Sequence, residues 1–314
     1  MVPIREAEDS PYAVRNYRSD DIDGYVWLRA AAAGEASDLS ENTLRECLGR
    51  PGYSPDRDLF LAVLGGRVVG YLDTTLERGI RRAVLECLVH PDHRRRGLGT
   101  ELFRHALGRA AEAGAGIAHV NAAGYNVVAS SFLSRLAFKP VRRYLEMRLD
   151  LVRAGLPVTS PGDVLCRSLR PGEEDKLADI QNRAFEGSWG FNPNTVEEVA
   201  YRLNMSDTSP QQVSLAVRED AILGYCWTTA DPAAPGGQRT GRVHMVGVSP
   251  ESRGRGIGRQ ALVAGLGKLK QAGVEVVKLS VDSRNGSAIA LYESIGFGTE
   301  STTVWYEREV ASGG

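Results

Sequence analysis

The sequence has few cysteines, few aromatic residues and no long apolar run, and neither sign of charge prevails. Cys47, Cys87, Cys166 and Cys226 stand apart, with no CxxC spacing and no histidine pair nearby. That excludes a disulfide framework and predicts reduced thiols, no metal site and a cytoplasmic location. No stretch approaches the roughly 18 uninterrupted apolar residues of a membrane span, so no membrane role is expected. The start, Met1-Val2-Pro3-Ile4-Arg5-Glu6, lacks a signal peptide's apolar core. With 38 basic against 39 acidic residues, nothing global argues for nucleic acid as a partner. Disorder is excluded too, because 42% of the residues are hydrophobic and 25% charged.

What the sequence does contain is a repeat. Its 314 residues exceed one ordinary core and suit two domains of roughly 150 residues each. Leu61-Ala62-Val63 recurs as Leu215-Ala216-Val217, and Gly70-Tyr71 with Thr74-Thr75 recurs as Gly224-Tyr225 with Thr228-Thr229. Arg94, Gly97, Gly99, Asn126 and Phe138 recur as Arg253, Gly256, Gly258, Asn285 and Phe297, all at an offset of 159. The offset last changes across residues 231–241, a Pro/Gly-rich stretch that absorbs extra residues as a loop. The expected division is a first domain over 1–154, a linker over 155–163 and a second domain over 164–314.

Each copy reads as strand, helices, two strands, a third strand, helix, strand, helix and closing strands. Tight turns at Gly65-Gly66 and Glu219-Asp220 join the early hairpins. In the second copy the patterning predicts strands over 164–169, 213–217, 222–229, 243–248, 274–281 and 304–309. Helices are predicted over 172–185, 194–204, 256–271 and 287–295. Hairpins mixed with crossovers imply an α+β fold around a mixed α/β sheet.

The strongest chemical signal lies where a strand hands over to a helix. Arg253-Gly254-Arg255-Gly256-Ile257-Gly258 follows one such strand, and Arg94-Arg95-Arg96-Gly97-Leu98-Gly99 follows its counterpart. Glycines at a helix start leave backbone N–H groups open to an anion. Arginine there opposes the helix dipole, which makes sense in both copies if a polyanion binds. A dinucleotide site is the rival, since Gly256-x-Gly258-x-x-Ala261 satisfies the Rossmann pattern. A polar turn separates these glycines from their strand, and Leu102 replaces the third small residue in the first copy, so that reading is weak.

Together with Asn285 and the run Ala288-Ile289-Ala290-Leu291-Tyr292-Glu293-Ser294-Ile295-Gly296-Phe297, the glycine motif resembles the GNAT superfamily of acyl-CoA-dependent N-acetyltransferases. The two copies cover nearly the whole chain, so it resembles a tandem GNAT protein. The resemblance implies that acetyl-CoA is the acyl donor, its pyrophosphate on the amides of 253–258, or of 94–99 in the first copy. Its pantetheine arm would pair with Val246, Gly247 and Val248, or run beside Val89, with Asn285 nearby. Gly247 also fits on physical grounds, since a mid-strand glycine marks a bulge or close backbone approach.

By the same resemblance Tyr292 is the acid that protonates the departing thiolate; by spacing alone it is a core aromatic on its helix. The first copy has Leu133 there, beside Phe132, so the first domain is expected to be degenerate. The family's base glutamate, fourteen residues before the glycine, would fall on Arg242 and on Ala83. His244 is the substitute base, with an ordinary strand histidine as its rival reading and Glu86 as a first-copy analogue. Residues 185–194, with Glu186, Trp189 and Phe191, are candidates for the substrate pocket. The expectation is a bacterial, monomeric N-acetyltransferase acting on a small-molecule amine. Acetylation of a thiol-cofactor precursor or a protein, and non-catalytic acetyl-CoA sensing, are the alternatives.

Overall fold

The computed structural model describes residues 11–33, 40–157, 163–231 and 237–311. Most of the expected linker (158–162) and part of the 231–241 loop (232–236) lie outside the described residues, as does the N-terminal segment. The first copy forms β1 (Tyr12–Asn16), α1 (Ile22–Ala33), α2 (Glu41–Cys47), α3 (Pro55–Asp58), β2 (Leu59–Leu64) and β3 (Arg67–Glu77). It continues with β4 (Arg82–Val89), α4 (Leu98–Glu112), β5 (Ile117–Ala123), α5 (Val127–Arg135) and β6 (Lys139–Asp150). The second copy forms β7 (Leu165–Ser168), α6 (Glu174–Phe185), α7 (Val196–Leu203), β8 (Val213–Arg218) and β9 (Ala221–Ala230). It ends with β10 (Thr240–Val248), α8 (Ile257–Gln271), β11 (Val276–Asp282), α9 (Gly286–Glu293) and β12 (Gly298–Glu309).

Local chemistry accounts for these elements. Gly65 and Gly66 both take positive φ, which closes the β2–β3 hairpin. A reciprocal capping box between Thr195 and Glu198 starts α7. Ile257, Ala261, Leu262, Leu266 and Leu269 recur at helical spacing along α8 and are all buried.

The described strands form one twelve-stranded sheet in the order β1-β2-β3-β4-β5-β12-β6-β11-β10-β9-β8-β7. Its centre is an exchange. The closing strand of the second copy, β12, pairs with β5 of the first, while β6 of the first pairs with β11 of the second. The cores follow the exchange: Tyr306 and Val310 pack with Leu102, Phe103 and Phe138, whereas Met147, Leu149 and Leu151 pack with Leu262 and Phe297. The boundaries of the repeat and of the packing units therefore differ by one strand at each end. β12 also starts six residues before its apolar pattern, because Gly298–Thr303 is polar yet hydrogen-bonded to β6.

Candidate active site

β10 pairs in parallel with β11 only from Thr240↔Val276 to Val243↔Leu279, although both strands run on past that point. Val246, Gly247 and Val248 pair with β9 on one edge alone, opposite Cys226, Tyr225 and Gly224. Their other edge faces a slot between diverging strands, where an extended ligand can complete the ladder. β4 and β5 diverge likewise after Leu85↔Val120, leaving Val89 beyond the last pair. Gly247 has a further reason to be glycine. A Cβ there would run into the Tyr225 ring and stand 2.9 Å from the Ala184 Cβ, so the glycine lets α6 close onto β10. The bulge in this strand lies elsewhere, between Val243 and Met245.

At the end of the slot, Gly254 and Gly256 adopt left-handed φ of +72° and +78°, with open space where a Cβ would stand. Gly256 caps α8 without a side-chain hydrogen bond, which leaves the first amides of the helix exposed as donors. Gly258 lies against Val248, whose Cγ2 would be 3.2 Å from an added Cβ. The first copy repeats the backbone at Gly97 (φ +85°), but the counterpart of Gly254 is Arg95, held at +62°. The arginines divide in use. Arg253 donates to the Ala184 carbonyl, Arg94 to the Val89 carbonyl and Arg96 to the Tyr12 hydroxyl. Arg255 and Arg95, exposed like the other loop arginines, stand beside the amides.

Tyr292 lies on α9, buried in one cluster with Cys226, Val246 and Val248. Its ring meets Phe297 edge-on at 5.8 Å, and burial raises the phenol well above its ordinary value. Asn285 has a structural task, since its Oδ1 accepts the Ala288 amide at 3.1 Å and caps α9. Asn126 caps α5 in the same way.

His244 is the residue at the β10 bulge, which breaks the strand's alternation and turns His244 and Met245 toward the same cavity. Its Nε2 shares a 2.7 Å hydrogen bond with Thr229 Oγ1. Crowding by protein, then Arg242 and Arg202, pushes the imidazole down to about 4, so it is neutral at physiological pH.

That cavity, about 370 Å³, adjoins a larger one of about 520 Å³. The two share Cys47 from the first half and Arg202, Met205 and Met245 from the second, forming one cleft between the halves. Trp189 and Phe191 line it, whereas exposed Glu186 stands outside the lining. Two contacts tie the halves together beside the cleft. The Tyr201 hydroxyl donates to the Glu46 carbonyl at 2.6 Å, and Thr43 donates to Asp207.

Residues 23–138 and 175–297 each match the Acetyltransferase (GNAT) family. The chain belongs to the GNAT acetyltransferase family. Both matched segments stop just before an exchanged strand, β6 or β12. This acetyltransferase is 34% identical over 259 residues to the mycothiol acetyltransferase of Acidothermus cellulolyticus, covering 77% of this chain and 76% of that one. It is 33% identical over 289 residues to the mycothiol acetyltransferase of Nocardia farcinica, covering 88% and 90%. A GCN5-related N-acetyltransferase from Sphaerobacter thermophilus shares the fold at a TM-score of 0.71, with 25% identity over 97% of each chain. The tandem GNAT protein from the clavulanic acid biosynthesis pathway aligns at a TM-score of 0.75 with 20% identity, over 96% of this chain and 100% of that one.

The two GNAT units differ at the Tyr292 position and on the strand before the glycine loop. Leu133 replaces Tyr292 and is 3% exposed in the first core. Glu86 is already occupied, accepting from the Tyr71 hydroxyl at 2.5 Å and pairing with Arg29 at 2.9 Å. Sequence reading missed Gln181, Arg202 and Cys47, which line the cleft but sit in no recognisable motif.

Proposed function

We propose that the protein transfers the acetyl group of acetyl-CoA to a primary amine of a small molecule bound between the halves, with the chemistry in the second unit. The one-sided pairing of Val246–Val248, between the open glycine-loop amides and the cleft, carries this reading. The residues fit acetyl-CoA. Amides of 254–258 offer donors to a pyrophosphate, Arg255 adds charge, and the free edge of β10 suits the amides of a pantetheine arm. Acetyl-CoA supplies an activated acyl group there: the amine nitrogen forms a C–N bond as the C–S bond breaks.

The chain's own groups then manage position and protons. β10 fixes the thioester beside the cleft, so the amine reacts from a held geometry. Tyr292, kept protonated by burial, gives its proton to the departing thiolate. His244, neutral and facing the cleft, takes the proton that the neutral amine sheds from its nitrogen as the C–N bond forms, directly or through water. Its low basicity makes it a relay and favours an amine that arrives already partly neutral.

A second reading makes the acceptor the amine precursor of mycothiol, supported by mycothiol acetyltransferases 31–34% identical over most of this chain. Arg242, in place of the strand glutamate, separates this chain from that pattern. The test is acetylation of that precursor and of a panel of unrelated amines, followed by product mass and CoA release. Turnover of some amine supports acetyl transfer, and preference for the precursor selects the second reading. No turnover with acetyl-CoA bound contradicts both.

A further inference from the structure

Gln181 is wholly buried at 0% exposure, lines the larger cavity, and has no hydrogen-bond partner for either Nε2 or Oε1. A second orphan belongs to the adjoining cavity. Trp227 is 2% exposed and its indole Nε1–H has no acceptor. A third is the Tyr53 hydroxyl, from a residue that lines the larger cavity. Buried polar groups in folded proteins are almost always satisfied, and three orphaned side chains in one cleft point to partners arriving with a ligand. The arginine shared by both cavities completes the pattern. Arg202 holds its Cζ over the Trp227 ring, 5.8 Å from the centroid and within cation–π range, and its guanidinium N–H groups donate to no described residue.

The other arginines of the cleft are committed. Arg50 donates to the Cys47 carbonyl, Asp73 and Thr75, and Arg242 is engaged by neighbours. The four carboxylates of the lining are engaged as well: Asp207 accepts from Thr43 and Ser40, Asp231 from Thr240 at 2.5 Å, Glu77 from Arg82, and Glu198 from the Thr195 amide at 2.8 Å. Among the unpartnered groups donors dominate: the Arg202 edge, the Trp227 N–H, the Gln181 NH2 and the Tyr53 hydroxyl, against the Gln181 carbonyl. Such a set recognises an oxyanion.

We propose that the acceptor amine also carries a carboxylate or phosphate, held by Arg202 and Trp227, with Gln181 reading a polar group beside it. This rests on the acetyl-transfer reading above and narrows its substrate class. Arg202 acts by positioning and has no part in proton transfer.

The test uses the full chain with matched amines that differ only in charge: β-alanine against β-alaninamide, L-serine against L-serinamide, and O-phosphoethanolamine against ethanolamine. The expected result is a roughly ten- to hundredfold higher kcat/KM for the anionic member of a pair, expressed mainly in KM. The carboxylate and phosphate pairs tell the two oxyanions apart. Arg202→Gln should erase the preference, Arg202→Lys should restore part of it, and the near-isosteric Gln181→Met should raise KM. Calorimetric binding of acetyl-CoA should be retained in each variant, which shows that the fold is intact. Equal rates within every pair, or a preference that survives Arg202→Gln, overturn the proposal and leave acetyl transfer standing. No acetylation of any amine by a chain that binds acetyl-CoA overturns the underlying reading, and this proposal with it.

Discussion

Glu307 Oε2 lies 2.8 Å from Nε2 of His119, a residue 188 positions away in the sequence. The contact exists because β12 crosses into the first half and pairs with β5, Glu307 opposite His119. Each half therefore needs a strand from the other to close its sheet. A chain cut at residue 154 should give a first fragment with exposed core and no cooperative unfolding. Co-expression with the second fragment should restore one folded species. Within the intact chain, Tyr306→Ala should cost about 3 kcal/mol in urea unfolding, because its ring packs in the first core. A first fragment that folds cooperatively alone would contradict the exchange.

Tyr292→Phe separates chemistry from packing. The hydroxyl makes no hydrogen bond with a described residue, so the thermal midpoint should stay nearly unchanged. Turnover should fall by roughly 10² or more, the usual contribution of a positioned acid. The deficit should shrink with a thioester whose leaving thiol is more acidic. Full activity in the variant would remove Tyr292 from the mechanism.

Gly247→Ala probes the approach of α6 to β10. The added methyl would press on Tyr225 and Ala184, and overpacking of this kind costs about 1–3 kcal/mol. Acetyl-CoA affinity should fall with stability, since the same strand borders the slot. Denaturant midpoints and calorimetry on one preparation check both effects.

The sequence showed more of the second unit than of the whole molecule. Helices α6, α7, α8 and α9 were legible because their buried residues recur at helical spacing, and the glycine loops because their backbone needs positive φ. The exchange of β6 and β12 left no mark, since a repeat records local order and not the copy against which a strand pairs. The bulge at His244 was hidden as well, because an extra residue in one strand has no side-chain signature. Gln181 and Arg202 went unseen because their role arises only where separate elements converge.

The state of His244 sets a pH dependence. Its folded pKa, about 4, lies below the ordinary value of 6.5, and burial lowers His119 and His105 in the same direction. The unfolded chain thus takes up protons first as the pH falls. Stability should be full above about pH 6.5 and decline below it, toward the folded pKa values. His244→Gln should flatten part of that decline. In urea titrations between pH 8 and pH 5, an identical slope in the variant would show that His244 is not the group responsible.

The central claim is that acetyl transfer uses the second glycine loop and not the first. Gly256 and Gly97 have matching left-handed φ of +78° and +85°, so Gly256→Glu and Gly97→Glu impose similar backbone strain. The decisive measurement is acetyl transfer to a common amine by the two variants, with circular dichroism to confirm folding. Loss of turnover in Gly256→Glu with turnover retained in Gly97→Glu is the predicted result. Loss in Gly97→Glu alone would place the chemistry in the first half and contradict the account.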